Sequence, residues 1–336
     1  MYQVYRLYFR SAHTELDSIK LSGAILDALI TMYPSMTEEI LNEAKQGSFA
    51  VSSAFPMRES DDVEFFPSPL LTYAYPSGMT RIEILKQSSK RKKEIKFAPI
   101  KNIEQLCTEY LTGGKPPLTL KAATEILSAG MSQGAEVIGD EGCIKDRSNC
   151  ARDKDGTEIM GDEGFDEYGV HINDGGETDV YVRELGIRGH LHYRGDKGIA
   201  SDPVWFIMQY SKGMFKHAMP FLSDRGLSGM ISRGKGMFYH EEKECRFSPG
   251  FKGEGYYLLL SPLIPLESEM PNVDLEHSRY VIRVFSGRNR NGEGLGKYRY
   301  FGAGSLLYLR GDVKGKTISA AKDRILVFKT ILIKVA

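Results

Sequence analysis

Long apolar runs are missing from this chain. No stretch of about 18 consecutive apolar residues occurs in its 336 residues, so no segment is expected to cross a bilayer as a helix. Cysteine is scarce: Cys107, Cys143, Cys150 and Cys245 are scattered, which gives no disulfide framework and suits a reduced, cytoplasmic setting. Cys143 and Cys150 have no second close pair beside them, a poor match to a zinc site. The usual signatures of catalysis are absent too. There are no paired carboxylates in a recognisable motif, no nucleophile elbow and no array of metal ligands. Gly113-Gly114-Lys115-Pro116-Pro117 lacks the glycine spacing of a phosphate-binding P-loop. We therefore expect no cofactor, no metal and no enzyme activity. The chain opens directly on a strand-like pattern, and no signal peptide is expected.

An excess of one charge is also lacking: 44 Lys and Arg balance 44 Asp and Glu. That balance argues weakly against nucleic acid, but it is uneven along the chain. Residues 140–184 hold fourteen acidic and five basic residues, leaving 39 basic and 30 acidic elsewhere. A neutral total can hide a basic face. Apolar content of 41% and charged content of 26% are those of an ordinary globular protein, and the length allows two domains.

What is present is glycine, concentrated at one place. In Gly226-Leu227-Ser228-Gly229-Met230-Ile231-Ser232-Arg233-Gly234-Lys235-Gly236-Met237-Phe238, four glycines fall within eleven residues and an aromatic follows. Ser211 to Asp224 reads as an amphipathic helix, with Met214, Ala218, Phe221 and Leu222 on one face, and Met237-Phe238-Tyr239 starts a strand. A glycine loop between helix and strand lets the backbone take φ > 0 and lets a partner approach with no Cβ in the way. Its N–H groups can cradle anions; it can equally be a long turn.

Upstream, Met1 to Arg10 alternates like a strand, Ser22 caps a helix running to about Tyr33, and a second helix over Thr37–Gln46 ends at Gly47. A strand follows over Phe49–Phe55, giving a β-α-β order. Lys90-Arg91-Lys92-Lys93 is the strongest basic cluster, either a solvated loop or a phosphate contact. Lys101–Tyr110 and Leu118–Leu127 read as helices. Residues 129–180 are rich in Gly, Asp and Glu without apolar periodicity and read as a partly disordered insertion. His190 and His192 share one strand face; with no carboxylate or thiol at ligand spacing, we read them as surface histidines. Val204–Met208 is a strand candidate. Phe247–Gly255 is a glycine-punctuated linker, and Tyr280–Phe285 and Ile325–Val335 read as strands beyond it. Tyr298-Arg299-Tyr300-Phe301 could stack bases or form a half-buried strand, and the alternation favours the strand.

The glycine stretch resembles the loop of the RAMP superfamily of CRISPR proteins, G-x-G-G-x-R-S-x-G-x-G-x-F. Gly226, Gly229, Ser232, Gly234, Gly236 and Phe238 match it; Ser228, Ile231 and Met237 depart from it, and Arg233 and Lys235 remain as the loop's charges. Four further segments are similar to the family's motifs in the right order: Leu21 to Leu29, Val51-Ser52-Ser53-Ala54-Phe55-Pro56, Phe65 to Leu71, and Tyr257 to Pro265. Gly302-Ala303-Gly304-Ser305-Leu306-Leu307 resembles a terminal motif with Ala303 in place of glutamate. The order of motifs points within that superfamily to the handle-binding subunits of type III-A effectors. The resemblance implies an α+β fold of two ferredoxin-like domains, which we place at residues 1–250, with the acidic insertion, and 251–336. It implies a non-catalytic subunit that caps the 5′ handle of CRISPR RNA and docks against the large signature subunit and the adjacent backbone RAMP subunit, away from any membrane. RNA would then meet Gly226, Gly229, Ser232, Arg233, Gly234, Lys235, Gly236 and Phe238, with Lys90, Arg91, Lys92 and Lys93 as further phosphate contacts. Three other readings stay open: the equivalent type III-B subunit, a RAMP endoribonuclease using His13, His217 or His240 as general base, and an assembly protein without RNA contact.

Overall fold

The computed structural model describes residues 1–10, 16–70, 96–112, 118, 120–129, 168–172, 178–182, 203–227, 236–288, 294–321 and 324–336. It is an α+β protein built on antiparallel sheets.

The strand read at the N-terminus is β1 (Tyr2–Phe9), an interior strand of the first sheet. The chain then forms α1 (Ser18–Met32), α2 (Thr37–Gln46), β2 (Ala50–Val51), β3 (Phe55–Arg58), β4 (Val63–Pro67) and β5 (Phe97–Pro99). Helices α3 (Ile100–Cys107), running on into a π-turn over Thr108–Thr112, and α4 (Leu120–Leu127) follow. After the hairpin β6 (Tyr168–Ile172) and β7 (Thr178–Val182) come β8 (Val204–Gln209), a 3₁₀ turn over Gly213–His217, α5 (Ala218–Arg225) and β9 (Phe238–Glu244). The sheet order is β5-β4-β3-β8-β1-β9, with β2 also paired to β8.

Several sequence expectations are corrected. Helix α1 begins a turn before Ser22, because the Asp17 carboxylate accepts the Lys20 N–H at 2.8 Å and caps the helix there. Ser22 instead sits buried inside the helix and donates its hydroxyl proton to the Ile19 carbonyl. The strand expected over Phe49–Phe55 is split, since Ser52, Ser53 and Ala54 leave the ladder between β2 and β3. The partly disordered insertion read over 129–180 takes in most of the β6–β7 hairpin, in register from Tyr168↔Val182 to Ile172↔Thr178. The helix before the glycine loop turns its first residues as 3₁₀, so Phe215, Ala218, Met219 and Leu222 are buried, while Met214 and Phe221 are only partly so. The cluster Lys90–Lys93, His13, Cys143, Cys150, His190 and His192 lie outside the described residues.

A second sheet is built from β10 (Gly255–Leu259), β11 (Val273–Arg279), β14 (Leu306–Leu309) and β17 (Leu332–Lys334), in the order β11-β14-β10-β17. In chain order its strands run two-three-one-four. The four principal segments of the first sheet run the same way, with β2/β3, β8, β1 and β9 side by side. The crossovers differ. Helices bridge the strands of the first sheet, whereas in the second the links are a 3₁₀ turn over Glu267–Asn272 and two hairpins. These are β12 (Ile282–Arg288) with β13 (Gly294–Phe301), and β15 (Gly315–Ala321) with β16 (Arg324–Lys329). Among the described residues after Arg225 there is no α-helix.

Both faces of the central strands are covered, so β1 and β8 read as near-continuous apolar runs rather than as half-wet strands. On one face Tyr5, Leu7, Phe9, Phe206 and Met208 pack against Ile25 and Leu29 of α1 and Ala218 and Leu222 of α5; Ile325 and Val327 of β16 join them. On the other, Val4, Trp205 and Ile207 meet Phe66, Leu106 and Cys107, and then Leu258 and Ile333 of the second sheet. The Trp205 indole is fully buried and donates to the Phe65 carbonyl at 3.0 Å.

Candidate nucleic-acid interface

The glycine stretch leaves and rejoins the fold through a closed stem. Helix α5 ends when the Gly226 N–H donates to the Leu222 carbonyl at 2.7 Å, and Gly226 takes φ +92° to turn the chain away. The next residue, Leu227, is buried and donates its N–H to the Gly236 carbonyl at 2.8 Å. Gly236 has φ +83°, a conformation that costs any residue with a Cβ. Residues 228–235 therefore span between two positions joined by one backbone hydrogen bond.

Two further contacts fasten the stem. The Phe238 ring is 2% exposed and lies 5.5 Å from the Phe9 ring, and the Arg10 N–H donates to the Met237 carbonyl at 3.0 Å. At the helix side, the Arg225 guanidinium pairs with Asp27 of α1 at 3.1 Å and sits over the Phe221 ring. A cation in the last turn of α5 also suits the helix dipole.

Of the residues singled out in the loop, the structure brings Gly226, Gly236 and Phe238 together at this stem. Phe238 faces the core beside Phe9, so within this chain it anchors the loop. Gly229, Ser232, Arg233, Gly234 and Lys235 lie outside the described residues, as do Lys90, Arg91, Lys92 and Lys93.

The other motif segments converge, but as a joint between the two sheets. Ser52 is fully buried; its hydroxyl oxygen accepts the Ile207 N–H at 2.9 Å and its proton goes to the Ser53 carbonyl at 2.8 Å. The Ser53 N–H donates to the Leu260 carbonyl at 2.9 Å. Ser261, also fully buried, accepts the Ile331 N–H at 2.8 Å and donates to the Lys329 carbonyl at 2.8 Å. Gly304 at φ +85° stands against Pro67 and Ser68, and its carbonyl accepts the Leu70 N–H at 3.2 Å. Residues from four motifs thus hold one seam.

Sequence reasoning missed the charged cluster on the opposite face of the first sheet. Arg6 of β1 is 4% exposed and pairs with both Asp62 and Glu64. Arg246 reaches the same Glu64 at 2.6 Å. The hydrogen bond from Arg6 holds the Asp62 carboxyl below its usual range. Alternation in β1 places Arg6 on the face of Val4 and Tyr8, but only the folded chain shows which carboxylates meet it. Nearby, Tyr8 stacks on the half-exposed Tyr239 with ring centroids 4.5 Å apart and donates to Glu241.

The two described histidines proposed as bases occupy different surroundings. His217 is on the surface with its Nδ1 2.9 Å from the Tyr33 hydroxyl. His240 lies against the Tyr5 and Phe238 rings, each 6.4 Å away. Burial holds its pKa below the ordinary value, with the Glu242 charge acting the other way. Among the described residues no group of three His, Cys, Asp or Glu could hold a metal ion, and no helix is long and apolar enough to cross a membrane.

No family model matches the sequence, and no curated protein does. Solved structures do match. A chain of the Csm1-Csm4 cassette in complex with one ATP is similar at TM-score 0.50 and 17% identity, over 100% of this chain and 98% of that one. A chain of the Csm3-Csm4 subcomplex of the type III-A CRISPR-Cas interference complex is similar at TM-score 0.54 and 14% identity, over 99% of each. A chain of the type III-B Cmr-beta complex bound to cognate target RNA gives 0.43 at 10% identity, over 91% and 86%, too distant to argue from. At these identities the likeness is one of fold, end to end: the chain shares the fold of the matched chains in the Csm1-Csm4 and Csm3-Csm4 assemblies.

Proposed function

We propose that this chain is the non-catalytic, RNA-binding subunit that caps the 5′ handle of CRISPR RNA in a type III-A effector. The observation that carries the proposal is the glycine stretch with a RAMP-like pattern, held on a stem that Leu227, Gly236 and Phe238 close, in a chain with a Csm4-like fold over its whole length. Backbone N–H groups on such a loop suit phosphates and splayed single-stranded nucleotides. Gly226 and Gly236 shape the stem, Gly229 and Gly234 admit the RNA, and Ser232, Arg233 and Lys235 supply polar and charged contacts. Lys90, Arg91, Lys92 and Lys93 add phosphate contacts. The large signature subunit and an adjacent backbone RAMP subunit are the partners; the matched structures are assemblies of Csm1 with Csm4 and of Csm3 with Csm4.

We further read residues 1–250 and 251–336 as two ferredoxin-like units in the cytoplasm. The support is the shared two-three-one-four strand order of the two sheets, the second having exchanged crossover helices for hairpins. The surroundings of His240 and His217 favour the binding role over RNA cleavage, since among the described residues no carboxylate is hydrogen-bonded to either imidazole to orient it as a base.

The test is UV crosslinking of the reconstituted effector to CRISPR RNA with a photoreactive nucleotide in its 5′ handle, followed by mapping of the crosslinked peptide. We expect a crosslink within Gly226–Phe238, reduced by Gly234→Leu. A crosslink on another subunit with none on this chain overturns the proposal. Gly236 is the wrong place for the substitution, since its φ of +83° would confound folding with binding.

A further inference from the structure

We infer that the outer face of the β12–β13 ribbon is a second RNA-binding surface, one that takes the sugar-phosphate backbone of single-stranded RNA without reading its sequence. The inference rests on the reading of the chain as an RNA-binding subunit, but it concerns different residues.

The ribbon is a two-stranded sheet of its own, apart from both large sheets, with Phe301 at the end of β13 also bridged to Leu263. One face is accounted for by packing. Phe285, Tyr298 and Tyr300 gather around the fully buried Phe328, with ring centroids 6.4, 6.3 and 5.5 Å from it. Period-two alternation then sends their neighbours the other way. The register sets Val284 opposite Arg299 and Ser286 opposite Lys297 on that outer face. All four residues are exposed, Val284 at 58%, and Ile282 beside them is 47% exposed.

No described acidic residue pairs with the cations of this face. From Arg279 to Phe301 the sequence holds six basic residues and a single acid, Glu293, in a chain whose totals are equal. Lys297 and Arg299 make no ion pair with any described residue. A hairpin shaped only for stability gains from opposite charges across its strands, and this one sets an aliphatic side chain opposite Arg299. Cations flanked by exposed aliphatic carbon suit a phosphate chain with sugars between the phosphates. Lys297 and Arg299 lie two residues apart on one face, about 7 Å along the strand, a step of the order of one nucleotide in an extended strand. A two-stranded ribbon can lie along such a strand as a continuous surface.

The experiment uses the full chain and a fluorescein-labelled oligouridine, read by anisotropy across a NaCl series. Each cation that neutralises a phosphate on a single strand contributes about 0.7 to the salt slope of log K. Replacing both with K297S/R299S should lower the slope by about 1.4 and weaken binding about 25-fold at 0.1 M salt. Val284→Lys adds a cation opposite Arg299 and should tighten binding about 5-fold, a gain that misfolding cannot imitate. No oligouridine binding at low salt, or unchanged slopes in both variants, overturns the inference. So does loss of large-subunit association with RNA affinity intact, which would assign the face to an acidic protein. If the 5′-handle crosslink persists while the ribbon variants are silent, the ribbon fails and the capping role stands. If the ribbon variants respond while the handle crosslinks elsewhere, the capping role fails and the ribbon stands.

Discussion

Ser52→Ala separates a structural motif from a functional one. Strand β2 stops at Val51, yet Ile207 of β8 still presents both backbone groups to that side. The Ser52 N–H meets the Ile207 carbonyl at 2.8 Å, and the Ser52 hydroxyl oxygen takes the Ile207 N–H at 2.9 Å, so a side chain completes the rung that the departing backbone leaves open. Ser52 and Ile207 are both 0% exposed, and water cannot replace the lost acceptor. Alanine strands a buried N–H, which costs about 1–3 kcal/mol. The loss should appear in urea unfolding as a lower midpoint at unchanged m-value. RNA binding by the folded variant, measured well below the midpoint, should equal that of the unmodified chain. A variant as stable as the original but deficient in handle binding would refute the reasoning and assign the motif to the RNA surface. Ser261→Ala, which strands the Ile331 N–H in the same way, should behave alike.

Three other outcomes follow from the geometry. Glu64→Ala removes a buried carboxylate shared by Arg6 and Arg246; Asp62 still holds Arg6, so we expect about 3 kcal/mol, the low end for breaking a buried pair, read by the same urea titration. His240 has a folded pKa depressed by burial, so the stability of its neutral form is present above pH 6.5 and is lost as pH falls through the folded value. His240→Gln should flatten that part of the stability profile between pH 7 and pH 5, and an unchanged profile would place the acid sensitivity elsewhere. The Cys107 thiol is fully buried and burial pushes its pKa up to about 12, so it should resist alkylation in the native chain while Cys245 reacts before it; peptide mapping after a timed iodoacetamide pulse gives the order of the two.

Local chemistry made much of this protein legible in one dimension. The strand over residues 2–9, the apolar stripe of α1 and the Gly47 stop depend on neighbours within a few residues, and each is present in the folded chain. The glycine run could be located, but its closure by Leu227 and Gly236 could not, because a hydrogen bond across nine positions leaves no periodic trace. The same limit hid the Arg6 cluster, whose carboxylates are 56 and 58 residues away in sequence. It also disguised the serine motifs. A buried hydroxyl that mends a broken ladder and one that faces RNA look identical in a string of letters, and only packing against a strand 155 residues distant separates them. Of the hairpins that link the second sheet, β12, β13 and β16 were partly readable as strands and β15 was not, nor was the order β11-β14-β10-β17. Sequence sets which segments can pair; which of them do pair is decided when both faces of β1 and β8 must be covered at once, and that is a property of the tertiary structure.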